Sequence, residues 1–386
     1  MRRLQLLVAV LFMGVPIART STAPAVPTID LAKFLAGTPA EQSEIVEEVR
    51  ACCHEGGSFF YLVNHGIPQP FIDEVEQVVQ GAFALPESEK AKIDKRLSKN
   101  FRGWERAGLE RTGGRPDSRE QIDTWSDADA ARDAGESDFA DRLLGKSQYF
   151  SEDVLPDYER LTKAWMKACS GVCEKLLEVF SLGMELPADA LSRRFGEIHR
   201  RQSLIKYIHY PPTPDGGQGV GLHQDSLFLT LLLPGHEGGL EVQLPDGSFA
   251  RVDRRVDAQG HSAFVVNLGE VMAAMTGGYF LATPHRVHAA RDRYVVAFFY
   301  GPVLEARLNP PLPLPPRLAG AVARSERHRS AGASPTPEEL ARGVTGSFDG
   351  ASKHRTYGDL LWNYFGRSHP EYVALHWGAD GRSDGS

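Results

Sequence analysis

The chain has 386 residues, with 43 Lys and Arg against 50 Asp and Glu, giving a net charge of −7, and it is 42% hydrophobic and 24% charged. Those proportions exclude a wholly disordered or collagen-like polymer. The mild acidity and the lack of a basic run argue against a nucleic-acid binder, and four cysteines are too few for a disulfide scaffold.

At the N-terminus, Arg2 and Arg3 precede an apolar run from Leu6 to Val15, which Pro16 breaks and small residues follow through Ser21, Thr22 and Ala23. That order is the layout of a signal peptide, and the run is too short to span a bilayer. Arg19 and the Ser/Thr content also fit an organellar transit segment. Residues 1–25 are therefore expected to be a targeting segment. A cytoplasmic location is the alternative, if the start codon is misassigned.

Residues 26–200 read as a helix-rich region. Val26–Leu31 is extended, and Thr38-Pro39-Ala40-Glu41 then has the pattern of a helix start, with Thr at the N-cap, Pro at N1 and Glu at N3. Gly56 and Gly57 end that helix. Phe59–Val63 is a strand closed by a turn at Asn64-His65-Gly66, and a second helix starting near Pro70 carries Ile72, Val75, Val78, Val79, Ala82 and Phe83 on its inner face. Residues 98–150 show little periodicity and are expected to be mainly loops. A long helix follows over 157–181, with Leu161, Trp165, Val172, Leu176 and Val179 in its apolar stripe. Cys169 and Cys173 lie beside that stripe and, like Cys52 and Cys53, read as small core residues.

The composition changes in residues 201–303. Short β-rich runs at 204–210, 227–233, 240–244, 263–268 and 294–300 are punctuated by turns such as Pro245-Asp246-Gly247. Such a series predicts an antiparallel sandwich or jelly roll. Residues 304–354 form a Pro/Ala-rich insertion, and 355–386 hold a last amphipathic helix over 357–364 and a tail. Trp362, Phe365 and Arg367 in this C-terminal part are candidates for covering a site.

The stretch Gly221-Leu222-His223-Gln224-Asp225-Ser226 is the most informative. Strand side chains alternate, so His223 and Asp225 are expected on one side of a β element. One more imidazole would complete a facial triad that holds Fe(II) with open positions. His285, just before a β-rich run, is a candidate, with His288, His209, His236 and His261 as rivals that spacing does not eliminate. Arg293 leads the apolar run Tyr294–Tyr300. If it points inward it needs a carboxylate, which a dicarboxylate cosubstrate would provide, and the hydroxyl of Tyr210 is placed to help.

These motifs are joined by Val63-Asn64-His65-Gly66-Ile67-Pro68, Tyr210-Pro211-Pro212, Gly238-Gly239-Leu240-Glu241-Val242, Val265-Val266-Asn267-Leu268-Gly269-Glu270 and Thr283-Pro284-His285-Arg286-Val287. Together they resemble the iron(II)/2-oxoglutarate-dependent dioxygenases of the isopenicillin N synthase-like group. The resemblance implies an α+β chain with a distorted double-stranded β-helix (jelly roll) core and surrounding helices. It implies Fe(II) held by His223, Asp225 and His285, and 2-oxoglutarate bound at Arg293 and Tyr210. It further implies O2 as cosubstrate, ascorbate as an optional cofactor, and oxidation of a small organic molecule, by default hydroxylation, with release of succinate and CO2.

One position departs from the family's Arg-x-Ser pattern: Val295 stands where the Ser would also bond the cosubstrate. The bacterial ethylene-forming enzyme likewise lacks this Ser, and Lys206 matches the position of its further cosubstrate-binding Arg. From the residues alone, Lys206 reads as a solvated strand-edge lysine and Arg102 as a surface arginine rather than an anion contact. Two other readings remain. One is an iron oxidase of this fold that dispenses with 2-oxoglutarate, and the other is a non-catalytic binding module.

Overall fold

The computed structural model describes residues 26–112, 115–127, 139–213, 217–325, 328 and 354–378. The expected targeting segment, most of the Pro/Ala-rich insertion and the C-terminal tail lie outside the described residues. Among the described residues, no helix is long and apolar enough to cross a membrane.

In chain order the strands are β1 (Thr28–Asp30), β2 (Phe59–Val63), β3 (Gly103–Glu105), β4 (Arg111–Thr112), β5 (Arg115–Pro116), β6 (Glu120–Trp125) and β7 (Leu204–Tyr210). They continue as β8 (Gln218–His223), β9 (Leu229–Leu233), β10 (Leu240–Gln243), β11 (Phe249–Val252), β12 (Phe264–Leu268), β13 (His285–His288) and β14 (Arg293–Tyr300). A large sheet has the order β1-β2-β12-β9-β14-β7-β6-β3 and faces a smaller one of order β11-β10-β13-β8. Within these sheets only β1 on β2 is parallel. The non-sequential strand order is that of a jelly roll, with helices packed on the outside.

Local chemistry sets the elements. The Thr38 hydroxyl accepts from the Glu41 N–H and the Glu41 carboxylate accepts from the Thr38 N–H, so both ends of the box are closed and helix Pro39–His54 starts where the pattern places it. Helix Gln69–Ala84 buries the six residues named for its inner face. Helix Tyr158–Gly183 buries Trp165, Cys169, Cys173 and Leu176 against the large sheet, and all four cysteines are buried and free. Gly247, at φ +83°, makes the turn of the β10–β11 hairpin.

Alternation decides which residues see the interior. Residues directly opposite in an antiparallel pair share a face. Arg293 is opposite Tyr210, Val295 opposite Ile208, Ala297 opposite Lys206 and Phe299 opposite Leu204. The next strand adds Gln121, Asp123 and Trp125 opposite Ile208, Lys206 and Leu204. Ile208, Tyr210 and Val295 pack with Val220, Leu240, Val242 and Val287 of the small sheet, so this face looks into the barrel. The other face, with Ile205, Tyr207, Val296 and Phe298, packs against the helices.

Among the described residues, 98–150 is mainly loop as expected, but β3 and β6 extend the large sheet there. β6 escapes periodicity because two of its inward residues, Gln121 and Asp123, are polar and meet partners far along the chain. Lys95, fully buried, contacts Glu105 and lies 2.8 Å from Asp123. Glu105 also pairs with His369 at 3.1 Å. The C-terminal helix runs to Ser368, beyond the expected 364, and Pro370–Trp377 forms a further helix. Phe365 stacks on Phe101 with centroids 4.0 Å apart, and so serves packing rather than any site.

Lys95→Met leaves Glu105 and Asp123 as buried charges short of a cation. The expected loss is about 3–5 kcal/mol of unfolding free energy in urea, with the triple change Lys95→Met, Glu105→Gln, Asp123→Asn recovering much of it. A single-variant loss below about 1 kcal/mol would contradict the buried-pair account.

Candidate functional site

β8 and β13 are neighbours in the small sheet, with His223 directly opposite His285 and ring centroids 4.2 Å apart. β8 ends at His223, and Asp225 lies in the turn that follows, so strand alternation is not what positions the carboxylate. The turn is clamped from behind. The Glu270 N–H donates to the Asp225 carbonyl at 2.8 Å, and the Gly269 N–H donates to the Phe228 carbonyl at 2.9 Å. A Cβ on Gly269 would stand 2.0 Å from the Leu227 carbonyl oxygen and 2.7 Å from that of Asp225. Only glycine fits there.

The result is a cluster in which one ligand atom each from His223, Asp225 and His285 lie within 4.8 Å of one another. Asp225 Oδ1 is 3.7 Å from the Nε2 of either histidine. Each ring is oriented by its other nitrogen: Nδ1–H of His223 donates to the Gly221 carbonyl at 2.9 Å, and that of His285 to the Thr283 carbonyl at 3.1 Å. A carbonyl only accepts, so both Nε2 atoms turn lone pairs toward the cluster. Thr230 Oγ1 and Asn267 Nδ2 both donate to Asp225 Oδ2, each at 2.6 Å, which leaves Oδ1 free. These are the second contacts that a metal site uses to fix its ligands.

Electrostatics agree with that geometry. Burial, with His285 adding to it, pushes the His223 imidazole down to about 3, so the ring is neutral and able to ligate. Burial works against the Asp225 charge, but the two imidazoles and the bonds from Thr230 and Asn267 outweigh it and hold the carboxyl below its usual range. Two imidazoles and one carboxylate on one face fit a divalent iron with positions left open.

Arg293 begins β14 and faces the same interior. It is 3% exposed, with the Tyr210 ring 5.1 Å from its guanidinium carbon, and its Nε and Nη1 are buried with no hydrogen-bond partner. Burial lowers the pKa of this guanidinium from its ordinary value. A buried cation left in this state asks for an anion, and a carboxylate matches its planar fork. Val295 points the same way into the apolar cluster and offers no hydrogen bond.

A cavity of about 360 Å³ opens beside the cluster, lined by His223 and Asp225, by Trp125, Leu204 and Phe299, and by charged groups that include Glu110, Arg119 and Lys206. Lys206 is not a solvated edge residue. It sits mid-strand with β14 and β6 on either side, 3.5 Å from Glu110 and 3.7 Å from Asp123. Arg102 is not at the surface either. It is fully buried and donates to the carbonyls of Asn100 and Leu143, bracing the loop, and burial lowers its pKa to about 10. The rival histidines lie elsewhere: His209 bonds Glu120 and Asp292, His261 pairs with Asp257, His288 with Glu241, and His236 is exposed. Sequence reasoning missed the roles of Thr230, Glu110 and Arg119. Their only signal is a long-range contact, which periodicity does not carry.

Comparison with known proteins gives this arrangement a class. The profile of the 2OG-Fe(II) oxygenase superfamily matches residues 201–302, and that of the non-haem dioxygenase in morphine synthesis N-terminal domain matches 26–148. The 2-oxoglutarate-dependent dioxygenase tropC of Talaromyces stipitatus is 33% identical over 302 residues, 74% of this chain and 89% of that protein. The 1-aminocyclopropane-1-carboxylate oxidase of Dictyostelium discoideum is 25% identical over 384 residues, covering 90% of this chain and 96% of its own. Among solved structures, the dioxygenase for auxin oxidation in rice superposes with a TM-score of 0.57 at 22% identity, over 82% of this chain and 99% of that one, a likeness of fold. The chain belongs to the iron(II)/2-oxoglutarate-dependent oxygenase family. It is an oxidoreductase that uses Fe(II), 2-oxoglutarate and O2 on a small-molecule substrate.

Gly269→Ala forces the clamp behind Asp225 apart. The expected cost is about 1–3 kcal/mol, read as a lower melting temperature, whereas alanine at Gly57, where a Cβ meets nothing closer than 3.7 Å, costs less. Equal melting temperatures for the two variants would contradict the clamp.

Proposed function

We propose that His223, Asp225 and His285 hold the Fe(II), and that Arg293, with Tyr210 packed on it, receives a carboxylate of 2-oxoglutarate. When bound, the iron supplies the redox chemistry: a substrate C–H bond and one O2 are converted to C–OH while 2-oxoglutarate becomes succinate and CO2. The protein's part is placement. Gly221 and Thr283 keep the imidazole lone pairs aimed, Thr230 and Asn267 hold the carboxylate by one oxygen, and Arg293 fixes the cosubstrate against the triad. The apolar wall of Trp125, Leu204 and Phe299 keeps water away from the reacting carbon.

The observation that carries this reading is Arg293. A guanidinium buried with two donor nitrogens unsatisfied, facing the same barrel interior as the triad, is costly unless an anion arrives. It speaks for a 2-oxoglutarate enzyme over an oxidase without that cosubstrate. The absence of the Ser hydroxyl at Val295 removes one hydrogen bond, worth about 0.5–3 kcal/mol, and leaves the charge in place.

His223→Ala tests the triad. Iron retained after anaerobic loading and desalting is expected to fall from about one equivalent to near zero, with substrate-dependent succinate release lost and the circular dichroism spectrum kept. Full iron occupancy and unchanged succinate release in the variant would overturn the assignment.

A further inference from the structure

The cavity beside the triad holds more positive charge than the iron and the cosubstrate use. Arg111, Arg119, Lys206 and Arg367 line it, against Glu110 as the carboxylate besides Asp225. Glu110 is already engaged. It meets Arg119 Nη2 at 2.7 Å, Gln121 Nε2 at 2.7 Å, the Tyr364 hydroxyl at 3.4 Å and Lys206 at 3.5 Å, so its charge is already answered from within the protein. Arg119 is shared between Glu110 and Asp117, yet its buried Nε has no partner. Arg367 goes further. It lies in the last turn of helix Tyr357–Ser368, exposed at the cavity wall, and forms no ion pair or hydrogen bond among the described residues. Glu270 feels its charge without touching it.

These cations are separate from the proposed cosubstrate anchor. Arg293 and the position opposite Lys206, Ala297, are four residues apart on β14, roughly 13 Å of strand. Arg293 is not among the residues lining this cavity, whereas Arg119, Lys206 and Arg367 are. The apolar part of the wall is formed by Trp125, Leu204, Val220, Leu227 and Phe299.

We infer that the substrate is a small amphiphilic acid. Its anionic group is held by Arg367, with Arg119 Nε behind it, and its apolar body lies along Trp125, Leu204 and Phe299 with a C–H bond toward His223 and Asp225. Planar donors on arginine suit a carboxylate, and a cavity of this size suits a small molecule. Only the oxidation of the bound acid rests on the iron and 2-oxoglutarate reading; the binding preference does not.

The test is calorimetric titration of the full-length protein under anaerobic conditions with 3-phenylpropanoate, 3-phenylpropanamide and 3-phenylpropylamine, which share a shape and differ in charge. Each titration is run on protein loaded with Fe(II) and 2-oxoglutarate and on metal-free protein. The acid is expected to bind at least about tenfold more tightly than the amide, and the amine most weakly. Arg367→Gln is expected to erase the acid preference and to leave 2-oxoglutarate affinity as it was, while Arg293→Leu does the reverse. Equal affinities for the three probes, no binding of any at millimolar concentration, or an acid preference that survives in Arg367→Gln would overturn the inference. So would loss of 2-oxoglutarate affinity in that variant. An acid preference in metal-free protein that fails to take up iron would sustain this inference while sinking the metal assignment.

Discussion

Charge placed inside a β-barrel has to be answered by charge or hydrogen bonds, and this protein puts a large amount of it there. Lys95 is answered by Glu105 and Asp123, Glu110 by Arg119, Lys206 and Gln121, and Arg254 by Glu76 on the periphery. Desolvating each of these groups costs several kcal/mol, so the network holds together only as a whole. The alternation of β14, β7 and β6 puts their inward residues on one face and so fixes where that charge sits. Among the described residues, Arg293 is an inward cation whose Nε and Nη1 find no such answer, and it is where we propose the cosubstrate carboxylate binds. The site is therefore the place where the general rule of the interior is left open for a ligand.

The triad depends on a different device. Nothing about His223 or His285 as residues makes them the ligands we propose. The carbonyls of Gly221 and Thr283 do so, by taking the Nδ1 protons and turning Nε2 inward. Asp225 is placed by a turn pinned through the Gly269–Glu270 backbone, and its free oxygen is chosen by Thr230 and Asn267 occupying the other. Small local contacts, each worth about 1 kcal/mol, set the geometry on which much larger chemical energies act.

How much of this is legible in the sequence follows from the same physics. β2 and β7 coincide with their apolar runs because β-branched and aromatic residues crowd both faces, and the helix after Thr38 starts where its capping box says. β6 is invisible because Gln121 and Asp123 point inward, and only partners far along the chain make that tolerable. β8 and β13 are hidden for another reason: one is rich in glycine, the other four residues long. His223 and Asp225 stand out by spacing, whereas His285 and His288 are separated from each other only by the register that puts His285 opposite His223. Lys206 and Arg102 mislead because charge normally means surface, and here it means a pocket wall and a braced loop.

The central claim is that Arg293 is left unanswered for 2-oxoglutarate. It is tested most directly by anaerobic titration of the Fe(II)-loaded protein with 2-oxoglutarate, following the visible iron-to-ligand charge-transfer band. The account predicts a saturable band in the native protein and one that needs much higher 2-oxoglutarate in Arg293→Leu, with iron content equal in both. A band that saturates at the same concentration in the two proteins, or no band in native protein that has bound its iron, would contradict it.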